Sequence, residues 1–159
     1  MNFQGCPGSR MMDMRRPAAD DAPAAAPGTV PSQLRQWPVQ LHLISPMAPY
    51  YQGADVVLTA DCVAYALGGY HAEHLKGKAI AIACPKLDDG QDVYVEKIRA
   101  WFDDAKINTL TVMIMEVPCC RGLSALARRA LESAARKVPV KEVVVGLDGT
   151  IRQSEWLGT

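Results

Sequence analysis

The chain has no surplus of either charge, since Lys plus Arg and Asp plus Glu number 17 each. That balance excludes broad electrostatic capture of nucleic acid or an anionic membrane surface, for which a local patch would be needed. Long apolar runs are also missing: "VVLTA", "AIAIAC" and "TVMIM" fall far below the roughly 18 residues of a membrane span. No charged start leads into a long apolar stretch, so no secretory signal is read. A cytoplasmic protein with neither nucleic acid nor membrane as partner is expected. Nucleotide motifs are absent as well, with no G-x-G-x-x-G and no Walker sequence; "ALGGYH" is too short a glycine signal to cradle a phosphate. Nor is there a C-x2-C knuckle of the kind that holds structural zinc, or the C-x2-C-x2-C run of bacterial ferredoxins.

What the chain does have is five cysteines. An odd number in a reducing compartment argues against a disulfide framework and toward metal ligation or redox chemistry. Their placement follows from the organisation of the chain. Residues 1–36 are rich in Pro and Ala and poor in large apolar side chains, and read as an irregular arm carrying Cys6. Residues 37–159 alternate short apolar runs with helical patterns. Strands are predicted at Val39 to Ile44, Ala54 to Ala60, Lys78 to Cys84, Thr109 to Glu116 and Lys141 to Leu147, with "DGT" turning into a short tail. Helices are predicted over "CVAYALGGYHAEHL", "DVYVEKIRAWFDDA" and "GLSALARRALESAAR". Strands apolar on both faces and alternating with helices indicate a parallel sheet covered on both sides. The expected fold is α/β: a three-layer, doubly wound, mainly parallel sheet of about five strands, flavodoxin-like or Rossmann-like.

In that fold Cys62, Cys84 and the pair Cys119 and Cys120 all follow the carboxyl ends of strands, the edge where such sheets place their ligands. Cysteines serving only as core filler would have no reason to collect there. Several of them stand at helix starts, where the positive end of the helix dipole favours thiolate, the form that soft metals and iron–sulfur clusters bind. Adjacent cysteines point to opposite faces of a strand but diverge less at a turn into a helix, so each can reach a different iron. A polynuclear cluster is therefore favoured over a single zinc ion, with Lys86 and Arg121 available to offset its charge. A flavin at the same edge ranks lower, because four thiols would crowd it.

The segments "GCPGSR", "QLRQWPVQLHLISPMAPYY", "ADVVLTADC", "HLKGK", "CPKLDD" and "TVMIMEVPCCRGL", in this order, closely resemble the C-terminal domain of a family of ferredoxin-like iron–sulfur proteins of anaerobic bacteria and archaea. In typical relatives a two-cluster 4Fe-4S ferredoxin module precedes the "GCPGS" segment, and it is absent from this sequence. The resemblance implies anaerobic redox metabolism and exchange of electrons with a ferredoxin-type or other redox protein. It marks Cys6, Cys62, Cys84, Cys119 and Cys120 as the recurring cysteines, and His71 as a family-like position. The expected cofactor is an iron–sulfur cluster, 4Fe-4S ahead of other nuclearities, held by Cys62, Cys84, Cys119 and Cys120 with Cys6 as a fifth thiol. The tandem-cysteine site of the electron-delivering subunit of respiratory complex I offers a looser, fold-level analogy.

Two alternatives stand beside this: a thiol–disulfide enzyme cycling the Cys119–Cys120 pair, and a metal-stabilised interaction module without turnover. Among the remaining residues, His71 and His74 share a predicted helix face but lack a third ligand at matching spacing, and His42 reads as a core residue. Asp61 invites an acid–base role, and Asp88 or Asp89 reads as a helix cap. Met113 and Met115 read as core, whereas Met11, Met12 and Met14 belong to the arm.

Overall fold

The structure, a computed structural model, describes residues 6–15 and 26–157. Residues 1–5, 16–25 and 158–159, which include much of the stretch predicted as a Pro/Ala-rich linker, lie outside the described residues. In the arm, β1 (Met12–Asp13) pairs antiparallel with β2 (Gln36–Trp37). The main sheet holds β3 (Asp55–Ala60), β4 (Ala79–Ala83), β5 (Thr109–Met115), β6 (Val140–Val145) and β7 (Ile151–Trp156). Their spatial order is β4-β3-β5-β6-β7, with the first four parallel and β7 antiparallel. The helices are α1 (Val63–Ala66), α2 (Gln91–Asp103) and α3 (Arg121–Ser133), with a π-helical turn at Tyr70–Leu75. This is the expected doubly wound α/β architecture.

The strand order locates the functional edge. From β3 the chain moves one way to β4, whereas β4 to β5 and β5 to β6 both move the other way. Right-handed crossovers then put α2 and α3 on one face, where they pack together, and α1 with the π turn on the opposite face. The loops leaving the neighbouring strands β3 and β5 consequently diverge, opening a crevice at their carboxyl ends. That switch point is where open α/β sheets bind ligands.

The core explains the helix assignments. In α2, Tyr94, Val95, Ile98, Trp101 and Phe102 are buried, and in α3 Leu123, Leu126, Ala127 and Ala130, recurring at the three- and four-residue spacing of one helical face. Met113 and Met115 are core residues and Met11, Met12 and Met14 are exposed, both as read from the sequence.

Four expectations are corrected. The segment predicted as the first strand makes only an isolated bridge, Gln40 to Ile82, and then turns. The reason is Lys97 on α2, whose ammonium donates to the carbonyls of Leu41, His42 and Ile44 at 2.8 to 2.9 Å and so draws them away from ladder geometry. His42 is accordingly exposed and not a core residue. The predicted tail instead forms β7, closing the edge through a hairpin in which Asp148 Oδ1 accepts from Thr150 N and Oγ1. Its side chains are exposed throughout, so it carries no burial periodicity to read. Finally, the helix predicted over Cys62 to Leu75 breaks at Gly68 and Gly69 into α1 and the π turn, consistent with the low helix propensity of glycine.

The described arm residues are docked onto the domain. Gln36 is buried, donating from Nε2 to Ile80 O (2.9 Å) and Tyr51 Oη (3.1 Å) while Oε1 accepts Ile80 N–H at 2.8 Å. Its amide thus substitutes for a neighbouring strand at one residue of β4. Trp37 Nε1 donates to Gly8 O at 2.7 Å, drawing in the segment that carries Cys6.

Candidate functional site

Four of the five cysteines lie where three adjacent strands end. Cys84 directly follows β4, Cys62 follows β3 by two residues, and Cys119 and Cys120 lie in the turn after β5. Register carries this alignment past the strands: Ala60 pairs with Ala83, and Asp61 N–H donates to Ala83 O at 3.2 Å, which sets Cys84 level with Asp61 and Cys62. Neighbouring strands are only about 4.8 Å apart.

Pro118 opens a single 3-10 turn, Pro118–Cys120, that runs into α3. With about three residues per turn, consecutive side chains rotate by less than on a strand. Cys119 faces outward and Cys120 inward, one exposed and the other buried. Burial pushes the Cys120 thiol up from its ordinary pKa, with Cys119 and Cys62 adding to the rise and a Met115 backbone group opposing it. In the metal-free protein this favours protonated sulfur, a preference that a bound cation reverses.

Cys84 is half-buried and held by its own turn. The Cys84 carbonyl accepts from Leu87 N and Asp88 N, and the Asp88 carboxylate returns to accept Cys84 N–H at 3.0 Å. The same Asp88 oxygen accepts the Tyr94 hydroxyl at 2.7 Å. His42 Nδ1 lies 3.3 Å from that hydroxyl oxygen, and since the Tyr94 proton is committed to Asp88, a bond there requires Nδ1 to be the protonated nitrogen. Asp88 is thus no helix cap: α2 starts after Gly90 with no side-chain cap at all. Burial, then Asp88, raise the Tyr94 pKa further above its usual range.

The two cysteine turns touch. Pro85, next to Cys84, packs on Gly122 in the first turn of α3, where an added Cβ would fall 2.9 Å from Pro85 Cβ. Asp61 lies in the same layer. Burial raises its carboxyl pKa, Asp88 adds to the rise, and Gln40 pulls the other way. Its Oδ1 is buried without a hydrogen-bond partner.

The other predicted residues divide. Lys86 and Arg121 are exposed, at the rim of the edge. His71 is drawn to the arm, its Nδ1 accepting Gln33 N–H at 3.0 Å. His74 stacks on Tyr70 with Nε2 lacking a hydrogen bond and 3.8 Å from Glu73 Oε2, so the two histidines are engaged separately on the π turn. Cys6 is exposed, two residues from the Gly8 anchored by Trp37. Trp37 also lines a cleft of about 380 Å³ together with Asp61, Ala64 and Tyr65 beside Cys62, so the arm is brought to the α1 side of the crevice. Among the described residues no three His, Cys, Asp or Glu side chains converge on one point as the ligands of a single metal ion would.

Tyr94, His42 and Pro85 were not singled out from the sequence as parts of this edge, whereas Gly122 is the glycine expected in the turn after the cysteine pair. A carboxylate four residues after Cys84 was the available signal for the closed turn. Nothing local marks Tyr94, six residues further on, as its second partner.

A family model described as a Rossmann-like domain matches residues 48–158. An uncharacterized protein of Archaeoglobus fulgidus is 31% identical over 121 residues, covering 75% of this chain and 83% of that protein. No solved structure matches significantly. No helix of the described residues is long and apolar enough to cross a membrane.

Proposed function

Because the chain belongs to the Rossmann-like domain family, whose ligand edge carries the cysteines here, we propose that it binds an iron–sulfur cluster and serves electron transfer or redox sensing. The cluster class is 4Fe-4S, and the ligands are Cys62, Cys84, Cys119 and Cys120. The observation that supports this most is that Cys62, Cys84, Cys119 and Cys120 all follow the carboxyl ends of three adjacent parallel strands at the switch point. The Pro85–Gly122 contact, which ties the Cys84 turn to the start of α3, adds to it.

The donor set suits such a group. Soft thiolates are its usual ligands, and each binds a separate iron, so the four sulfurs need not converge on one point. When bound, the cluster supplies one-electron chemistry. The chain's own residues hold the sulfurs: the Asp88 carboxylate fixes the Cys84 backbone, Pro118 sets the turn of the vicinal pair, and the start of α3 places its dipole beside Cys120. Exposure of Cys62 and Cys119 leaves the edge open to a ferredoxin-type or other redox partner. A cytoplasmic setting in anaerobic metabolism belongs to the same proposal, as does kinship with the C-terminal domain of ferredoxin-like iron–sulfur proteins. Cys6 is a fifth thiol, supplied by the arm.

Anaerobic purification with iron, sulfide and zinc quantification and electron paramagnetic resonance tests the reading. Iron and sulfide in cluster stoichiometry are expected, whereas a colourless protein with one zinc and no sulfide would end it. The proximity of Cys119 to Cys120 favours a second reading, a dithiol that gives two electrons and two protons to an acceptor as it closes to a disulfide. Cys84→Ser separates the two, abolishing cluster loading under the first and sparing vicinal-thiol oxidation under the second.

A further inference from the structure

A separate cleft of about 350 Å³ lies on the α3 face of the sheet, over β5, β6 and β7. It exists because the chain leaves β6 into an antiparallel strand, so α3 packs on β5 while Glu142 and Val144 of β6 stay partly open on that face. Arg121, Ser124 and Arg128 of α3 line it, facing Glu142 and Gln153 from the sheet. Positions 121, 124 and 128 are three and four residues apart, one face of a helix, with Ser124 between the arginines.

Two observations mark this as a place for a ligand. Ser124 is only 5% exposed, and its hydroxyl, at the cleft, has no hydrogen-bond partner. Buried hydroxyls are seldom left so. Arg121 and Arg128, in turn, form no ion pair among the described residues, whereas Arg129 beside them pairs with Asp92, and Arg152 pairs with Glu116 and Asp148. Glu116 is therefore committed, to Arg152 and to Leu147 N–H. Two free guanidinium forks and a free hydroxyl face a single uncommitted carboxylate, Glu142.

We propose that this cleft binds the oxyanion of a small polar molecule, a phosphate or carboxylate group held by Arg121, Arg128 and Ser124, with donors on the rest of the molecule meeting Glu142 and Gln153. Guanidinium forks match both oxyanions and give strong charge-assisted bonds. No cysteine lines the cleft, so the site does not depend on a cluster being bound.

The test is titration of the purified full chain, and of its Cys84→Ser variant, with inorganic phosphate and separately with malonate at low ionic strength. Binding is followed by calorimetry and amide NMR shifts. Saturable binding of at least one anion is expected, with shifts at Ser124, Glu142 and Gln153, in both proteins. The anion that binds identifies the group, and binding of both places the recognition in their shared oxyanion chemistry. Arg128→Gln should weaken it about tenfold, given the strength of charge-assisted bonds. Ser124→Ala should weaken it less, and Glu142→Gln should tighten it by removing a like charge. Arg129→Gln, on the neighbouring ion pair, should leave it unchanged. Failure of both anions to saturate, or equal effects of Arg128→Gln and Arg129→Gln, would overturn the proposal.

Discussion

Pro85 and Gly122 stand so close that the glycine has no room for a side chain, with an added Cβ 2.9 Å from Pro85 Cβ. Through this contact the turn that follows Cys84 is pinned to the helix that follows Cys120. Replacing a helical glycine by alanine ordinarily gains about 1 kcal/mol, but here overpacking opposes it, at about 1–3 kcal/mol. A proline ring cannot swing aside as a flexible side chain would. Gly122→Ala is expected to keep the fold, as seen by circular dichroism, while thermal stability does not rise and iron and sulfide content falls. Full cluster loading together with a raised melting temperature would show the contact to be slack.

Asp88 holds both the Cys84 N–H and the Tyr94 hydroxyl. Asp88→Ala would orphan two donors, each costing about 1–3 kcal/mol if left buried. Tyr94→Phe removes one bond and leaves Asp88 its bond to Cys84, so a loss of about 1 kcal/mol is expected. Urea unfolding of the two variants should rank Asp88→Ala well below Tyr94→Phe. Faster loss of the Cys84 turn's amide protection should accompany the first substitution alone. Equal midpoints would show that the bond to Cys84 adds little.

Lys97 organises the segment before the sheet by donating to three carbonyls. Burial lowers its pKa, so the ammonium is held against a desolvation cost by those bonds. Lys97→Met keeps the stem and removes the donors. A loss of about 2–4 kcal/mol is expected from bonds to a charged group, with amide exchange rising first over residues 41–44. Uniformly unchanged exchange there would contradict this role.

His74 makes acid a specific stress. Burial lowers its pKa below the ordinary value, with Lys78 and Lys141 contributing and Glu73 opposing. A depressed folded pKa means that the unfolded chain takes up the proton first. The stability carried by neutral His74 is thus complete above the ordinary histidine range and is lost as pH falls through it toward the folded pKa. Melting temperatures measured from pH 8 to pH 5 should fall more steeply for the native chain than for His74→Gln. Parallel curves would remove His74 from the account.

Much of the fold was legible because the signals were local. The apolar runs of β3, β4, β5 and β6 and the helical spacing of Val95, Ile98, Trp101 and Phe102 are set by burial on both faces of a parallel sheet. The errors fell where a distant partner overrode the local pattern. Val39 to Ile44 looks like a strand, yet Lys97, more than fifty residues away, bends its carbonyls aside. β7 has no apolar pattern and is recruited by pairing with β6.

The candidate site divides along the same line. From residues alone come four cysteines at strand ends, a turn-forming proline before the vicinal pair and the expectation of thiolate chemistry, because residue type and strand periodicity are properties of short stretches. The tertiary structure decided that β3 lies between β4 and β5, so that their loops part at the β3/β5 edge with Cys62 on one side and Cys120 on the other. It also decided that Asp88 closes the Cys84 turn where a helix cap was expected, and that Arg121 and Arg128 flank an unpartnered Ser124. Strand order, packing of one turn on another and the pairing of buried polar groups depend on residues far apart in the chain, and no local spacing encodes them.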